Sequence, residues 1–192
     1  MIKDYNINQE PIMIKRALLS VYDKTEIKEL ALNLAKHNIE IISTGGTAKL
    51  LKKENIAVIE IEEYTNFPEI MDGRVKTLHP KIHAGILARR DSDLELLKEE
   101  GYETIDLVIV NLYPFEETIK KDCSFEEAIE NIDIGGPTMI RAAAKNFKDV
   151  VVLSDPNDYE KITDEWDAND GISYETRKHL SQKVFKLMAN YN

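Results

Sequence analysis

The strongest constraint on the fold is the alternation of short apolar runs with longer amphipathic stretches along most of the chain. Residues 16–21 and 39–43 have the apolar character of buried strands. Between them, residues 24–37 repeat apolar side chains at the spacing of one helical face. Strands that alternate with helices form βαβ units, whose strands are parallel. The sequence therefore predicts an α/β fold with a mainly parallel, twisted sheet.

The same pattern predicts the remaining elements of a single domain at residues 15–192, after a short leader at residues 1–14. Strands are predicted at residues 57–61, 85–88, 105–110 and 150–153, and helices at residues 47–54, 91–100, 116–120, 124–131, 137–146, 157–166 and 173–191. Pro68, Gly73 and Pro80 interrupt residues 64–84, which are therefore predicted to form an irregular functional loop. The last helices give the domain a helical C-terminal end.

Composition excludes several classes of protein. The 192 residues are 43% hydrophobic and 31% charged, and no apolar run reaches the ~18 residues of a membrane span. The N-terminus has no signal-peptide pattern, so a cytoplasmic protein without a membrane partner is predicted. A net charge of −10 argues against nucleic acid as a partner. The single cysteine, Cys123, excludes an internal disulfide and is interpreted as an incidental loop thiol.

Two glycine pairs precede predicted helices and indicate binding of an anion. In the sequence STGGT, Gly45 and Gly46 allow close approach of a ligand to the unpaired N–H groups of a helix, with Thr47 as the predicted N-cap. An ordinary turn capped by threonine would give the same pattern. In SVYDKT, Lys24 follows the first strand and would lie at the carboxyl edge of the sheet, where α/β proteins bind ligands. A solvated surface lysine is the alternative.

The segment GRVKTLHPKIHAGIL gathers cations in an irregular stretch. Arg74, Lys76 and Thr77 suit a phosphate or carboxylate ligand. His79 and His83 are four positions apart, but Pro80 lies between them and the HExxH pattern is absent, so no metal site is predicted. Both histidines are instead interpreted as hydrogen-bonded anchors of the loop.

The segment IDIGGPTMIRAAAKN offers a carboxylate and a lysine, Asp133 and Lys145, on either side of the second glycine pair. Side chains separated in this way can face one cavity, where burial and neighbouring charge turn them into an acid and a base. An aspartate near a helix start and a helix that ends in lysine would look the same.

Six motifs follow one another along the chain: STGGT, FPEIMDGRVKTLHP, HAGIL, VNLYPF, ENIDIGGPTMIRAAAKN and DYEKI. Together they resemble the inosine monophosphate cyclohydrolase domain of the bifunctional purine-biosynthesis family. This domain has a methylglyoxal-synthase-like fold, a three-layer α/β sandwich. The resemblance implies dehydrating ring closure of a formylated aminoimidazole carboxamide ribotide to inosine monophosphate. It implies a small-molecule purine ribotide as substrate, no cofactor, a homodimer, and a formyltransferase domain in the bifunctional protein that these 192 residues do not contain.

The resemblance also assigns site residues by motif. It implies catalytic roles for Lys145 as the proton-transferring lysine and for Lys76, Asp133 and Tyr113. The implied substrate-binding residues are Tyr22, Asp23, Lys24, Thr44, Gly45, Gly46, Thr47, Arg74, Val75, Lys76, Thr77, Val110, Asn111, Asp133 and Ile134. Tyr22 stands where the family usually has serine, so only backbone contact is expected there.

Two rival functions share this fold. Methylglyoxal synthase is a lyase that also binds phosphate with a glycine turn, and the regulatory domain of carbamoyl phosphate synthetase binds nucleotides without catalysis. The segments GRVKTLHP and AAAKN favour the cyclohydrolase.

Overall fold

The computed structural model describes residues 10–113, 115, 119–120 and 123–191, and its centre is a parallel five-stranded sheet. The strands are β1 (Arg16–Leu19), β2 (Glu40–Ser43), β3 (Ile59–Glu60), β4 (Leu107–Ile109) and β5 (Val151–Leu153). The helices of the described residues are α1 (Ile27–Lys36), α2 (Gly45–Lys53), α3 (Ile61–Thr65), α4 (Pro80–Leu87), α5 (Leu94–Glu99), α6 (Phe125–Glu130), α7 (Gly135–Lys145), α8 (Tyr159–Asn169) and α9 (Tyr174–Asn190). The predicted α/β architecture is confirmed.

The order of strands in the sheet is β3-β2-β1-β4-β5, and all four neighbouring pairs are parallel. The chain winds outward from β1 to β3 and then returns to β4 on the other side of β1. The point where the winding direction reverses leaves a crevice at the carboxyl ends of the strands, which is where open α/β sheets bind ligands. The topology therefore locates the expected site between the ends of β1 and β4.

The strands are buried along their length because helices cover the sheet. In β1, Ala17, Leu18 and Leu19 are fully buried, and β4 and β5 are buried throughout. Near-continuous apolar runs of this kind are typical of parallel strands covered on both faces. Helix α9 packs against α7 and β5, so the C-terminal helix belongs to the same core.

The loop predicted at residues 64–84 is more ordered at its end than the sequence suggested, and the strand predicted at residues 85–88 is wrong. Residues 80–87 form α4, with Pro80 at its first turn and His79 as its N-cap. Nδ1 of His79 accepts a hydrogen bond from Lys81 N at 3.1 Å. Proline suits the first turn of a helix because it lacks the N–H that would be unpaired there.

Both glycine pairs lie inside helices instead of before them. Helix α2 begins at Gly45 with Thr44 as its N-cap, so the predicted cap at Thr47 is wrong. Helix α7 begins at Gly135, two residues before the predicted start at Pro137. The helix predicted at residues 116–120 lies largely outside the described residues.

Part of the predicted leader is held against the fold. Ile12 pairs with Ile172 through two backbone hydrogen bonds of 3.1 Å, and Ile14 is buried in the core. The fully buried guanidinium of Arg177 donates to backbone carbonyls of the same region, including that of Glu10. In the described part of the chain, no helix has the length and apolar character needed to cross a membrane.

Candidate active site

A cavity of about 670 Å³ opens at the carboxyl ends of β1, β2 and β4. The segments that follow these three strands form one side of it. The loop at residues 72–77 and the N-terminus of α7 form the other side. Stretches that are distant in sequence thus meet at the point where the winding of the sheet reverses.

The glycine turn after β2 presents the start of α2 to the cavity. Gly45 has a φ of +41°, which residues with side chains rarely adopt, and nothing lies within 4 Å of the position that a β-carbon on Gly46 would take. The first N–H groups of a helix have no acceptor within the helix. The turn can therefore receive the oxygens of a phosphate group.

Hydroxyl groups attach this turn to the segment after β1. The side-chain oxygens of Ser20 and Thr44 are 2.7 Å apart, within hydrogen-bond distance. The Thr47 hydroxyl accepts from Val21 N at 3.2 Å and donates to Val21 O at 3.1 Å. Thr47 therefore serves as a link between two segments of the cavity wall, inside the helix that it was predicted to cap.

The side chain of Asn111 holds the segment that carries Lys24. Its Oδ1 accepts from Tyr22 N at 2.7 Å and from Asp23 N at 2.9 Å, and its Nδ2 donates to Asp23 O at 2.9 Å. Lys24 lines the cavity, and its ammonium group donates to the carbonyls of Val21 and Tyr22. Burial lowers the pKa of Lys24, and the neighbouring Asp23 opposes that shift.

Two cations from the loop at residues 72–77 reach the cavity, and each pairs with a carboxylate. Lys76 forms an ion pair with Glu69, and its Nζ lies 3.5 Å from the position that a β-carbon on Gly45 would take. Arg74 pairs with Glu130, and both of these side chains are more than half exposed. The ammonium of Lys76 therefore lies beside the glycine turn, where a bound phosphate would meet it.

Asp133 lines the cavity just before α7. Its Oδ1 accepts from Gly136 N at 2.9 Å. Burial raises the pKa of Asp133, although this hydrogen bond acts in the opposite direction. A carboxylate whose pKa is moved toward neutrality is a more effective general base near pH 7. Asp133 is therefore the carboxylate of this cavity best suited to accept a proton.

Tyr113 and Tyr22 form an aromatic edge to the cavity. Their ring centroids are 5.0 Å apart with an interplanar angle of 52°. Both rings are about half exposed, at 47% for Tyr113 and 52% for Tyr22. A planar heterocycle can pack against such an edge.

Most of the predicted site residues come together here. The cavity is lined by Tyr22, Lys24, Thr44, Gly45, Gly46, Thr47, Arg74, Lys76, Thr77, Val110, Asn111, Tyr113, Asp133 and Ile134. Asp23 and Val75 belong to the same segments but do not line it. The Asp23 carboxylate instead accepts from the backbone and hydroxyl of Thr25, which lowers its pKa, and Val75 forms an antiparallel bridge with Ile70.

Lys145 does not line the cavity, so the expectation that it faces the same cavity as Asp133 is wrong for this chain. It is exposed at the C-terminal end of α7, whereas Asp133 lies just before the N-terminal end. Ten helical residues extend about 15 Å, so the two side chains belong to opposite ends of the helix. The proton-transferring role of Lys145 stays a prediction.

Sequence reasoning missed the carboxylates that hold the cations. Glu69 and Glu130 follow no local pattern that marks them as partners of Lys76 and Arg74, since each pairing depends on tertiary structure. Ser20 was also missed, although it ends the strand segment that precedes Lys24. Its position at a strand end was the one signal that could have indicated it.

The histidines of the loop have structural surroundings. His79 caps α4, and His83 donates to the backbone of Thr77 while burial lowers its pKa. Among the residues that the structure describes, no group of three or more histidine, cysteine or acidic side chains could hold a metal ion.

Comparisons with known proteins agree with this fold. A family model described as an MGS-like domain matches residues 26–138, and one described as the AICARFT/IMPCHase bienzyme matches residues 143–192. The crystal structure of ForH superposes with a TM-score of 0.80 at 36% identity, and the match covers 93% of this chain and 95% of that one. The chain therefore belongs to the family of MGS-like domains.

Within that family, the most informative relatives are bifunctional proteins. The bifunctional purine biosynthesis protein PurH of Fusobacterium nucleatum is 61% identical over 182 residues, and that of Clostridium perfringens is 59% identical. Each match covers 94% of this chain and 36% of the relative, so the chain spans about a third of the length of these proteins. The resemblance to the cyclohydrolase part of the bifunctional purine-biosynthesis family is thereby confirmed.

Proposed function

We propose that this chain catalyses dehydrating ring closure of a formylated aminoimidazole carboxamide ribotide to inosine monophosphate. The observation that carries the proposal is the shared cavity, which brings a phosphate-type glycine turn, Lys24 and Lys76 together with the partly buried carboxylate of Asp133. A ribotide offers such a cavity a phosphate for the glycine turn and a heterocycle for the carboxylate. The relatives named as purine-biosynthesis proteins support the same choice.

The reaction needs positioning and proton transfer. The carboxamide nitrogen attacks the formyl carbon, and a C–N bond forms while the formyl oxygen becomes negatively charged. The nitrogen loses one proton to Asp133, and Lys76 with Tyr113 stabilises the oxygen. Lys76 must leave its ion pair with Glu69 to do so.

Loss of water completes the ring. The oxygen receives two protons in total, one that originates from the carboxamide nitrogen and one from the formamide nitrogen, and the C–O bond breaks to give water and a C=N bond. Asp133 can return the proton that it accepted. Because both reacting groups belong to one molecule, a fixed geometry accounts for much of the rate. The reaction as written requires neither a redox step nor a group carrier.

We further propose that Lys145 acts at the cavity of a second copy of the chain. Its exposed position about 15 Å along α7 from the cavity leaves its side chain free to reach another molecule. The proposed homodimer, which the family resemblance implies, would supply that second copy. Light scattering on the purified chain tests whether it is a dimer.

The formyltransferase half of the bifunctional relatives and a cytoplasmic location also belong to the proposal. The match to the family model described as the AICARFT/IMPCHase bienzyme supports the first. The purine-biosynthesis relatives support the second.

Absorbance spectroscopy with the formylated ribotide as the only substrate tests the activity. The wild-type chain is expected to form the purine chromophore, and Asp133→Asn is expected to lower the rate at least about 100-fold. Asp164→Asn is a matched control, since Asp164 is exposed on α8. Failure of the wild type to form purine would refute the proposal. Binding without turnover would favour a regulatory domain, and turnover of a triose phosphate would favour the lyase.

A further inference from the structure

The last described residue, Tyr191, contacts two segments of the active-site cavity from outside. Its hydroxyl donates to the carbonyl oxygen of Tyr113 at 3.2 Å. Burial and the charge of Asp133 raise the pKa of Tyr191, and the backbone N–H of Asp133 opposes this shift, so Asp133 lies close to the same hydroxyl. The phenol therefore binds the segment after β4 and lies beside the segment before α7.

A second groove lies on the far side of these segments. Asp133, Ile134 and Tyr191 line it, together with residues of α7 and Met188 of α9. Asp133 lines both this groove and the active-site cavity. Tyr191 thus shares a groove with the residue to which we assign the proton transfer.

The packing of α9 along α7 determines where Tyr191 lies. Ser181 in α9 donates to the carbonyl of Ala144 at 2.8 Å, near the C-terminal end of α7. Buried Arg177, one turn earlier, donates to the carbonyls of Phe147 and Lys148. The two helices are therefore antiparallel, and the ten residues from Ser181 to Tyr191 extend about 15 Å back to the N-terminal end of α7.

We propose that Tyr191 is a positioning residue that fixes Tyr113 and Asp133 relative to each other around the bound heterocycle. The proposal rests on the proposed function for its effect on the rate, but the contact itself does not depend on any activity. Neither Tyr113 nor Asp133 belongs to a regular element, so the hydrogen bonds of a helix or strand do not fix either backbone, and a contact from the end of α9 can do so. A small displacement of a reacting group lowers the rate of an enzyme far more than it lowers the affinity for substrate.

Tyr191→Phe tests this role because it removes the hydroxyl and keeps the ring. We expect kcat for cyclisation to fall about tenfold, while KM and the dissociation constant of inosine monophosphate change less than about twofold. Tyr102→Phe is the control, because Tyr102 lies at the end of α5, before β4, and away from the cavity. Unchanged kcat in Tyr191→Phe, or a loss of affinity equal to the loss of kcat, would overturn the proposal.

Hydrogen exchange of single amides, followed by NMR without ligand, tests the contact separately. The Asp133 amide is expected to exchange faster in Tyr191→Phe than in the wild type, because the segment before α7 loses the hydroxyl group beside it and opens more often. An unchanged exchange rate would overturn the proposal even if the wild type were active. If the wild type did not cyclise the substrate, the proposed function would fail, and the exchange experiment would still decide whether Tyr191 holds Asp133.

Discussion

Replacement of Gly136 by alanine is expected to move the carboxylate of Asp133 and to slow ring closure. A β-carbon on Gly136 would lie 2.5 Å from Oδ2 of Asp133 and 2.7 Å from Cδ2 of Leu112. Ordinary contacts between non-bonded heavy atoms are ~3.5 Å or longer. Both side chains would therefore have to retreat by about 1 Å.

The size of the effect follows from the hydrogen bond that holds the carboxylate. Asp133 accepts from Gly136 N at 2.9 Å, so a retreat of its side chain lengthens or breaks that bond. Overpacking at such a site reduces the free energy of unfolding by about 1–3 kcal/mol. A displacement of about 1 Å at a reacting group can lower the rate by roughly 100-fold. We therefore expect kcat to fall by about 10- to 100-fold.

Urea unfolding measures the stability of Gly136→Ala, and absorbance at the purine band measures its kcat. Gly46→Ala is the control for stability, because its β-carbon would meet no atom within 4 Å. Alanine is favoured over glycine in a helix by about 0.5–1 kcal/mol, so this variant should be at least as stable as the wild type. A Gly136→Ala protein with wild-type stability and a kcat within threefold of wild type would refute the packing argument.

Three further predictions concern charge. Burial raises the pKa of Asp133 above that of an exposed aspartate, so the proposed catalytic carboxylate becomes protonated as the pH falls through this raised value. The plot of kcat against pH should therefore decline at that pH in the wild type, and any residual activity of Asp133→Asn should lack this decline. Lys24→Ala should weaken binding of inosine monophosphate by about 10- to 100-fold, as expected for loss of one charge-assisted hydrogen bond. Calorimetry should show an unchanged affinity for inosine, which lacks the phosphate. Lys28→Ala on the outer surface is its control, and equal losses for both ligands would contradict the assignment. Lys145→Ala and Asp133→Ala should each be inactive alone. If Lys145 acts in a second copy, a mixture of the two variants should regain activity. A mixture that stays inactive although mass spectrometry detects mixed dimers would reject that role.

The resemblance to a known family indicated the function more specifically than the periodic pattern did. Pattern alone predicted parallel strands, two glycine turns and a cluster of cations, because these depend on residues close together in the chain. It did not distinguish a ring-closing enzyme from a lyase or a regulatory domain. The motifs favour the ring-closing enzyme that we propose, since the positions around Asp133 and Lys76 have a characteristic order along the chain.

The strand predicted at residues 85–88 shows where local reasoning was insufficient. Its apolar residues suit either a short strand or a helix, and periodicity cannot separate the two over four positions. His79 and Pro80 provide the decisive signal, because together they cap and begin α4. Tertiary packing then buries Ile82 and Ile86 on one face of that helix.

The sequence by itself determined the class of fold, and it placed Lys24 and the STGGT turn at the carboxyl edge of the sheet because both follow parallel strands; the family motifs supplied the other cavity residues. The tertiary structure alone decided that Lys145 lies outside this cavity, that Glu69 pairs with Lys76, and that Tyr191 lies beside Asp133. The physical reason is distance along a helix and across a core. A helix separates its two ends by 1.5 Å per residue, and contacts between remote segments exist only once both have packed against the same sheet.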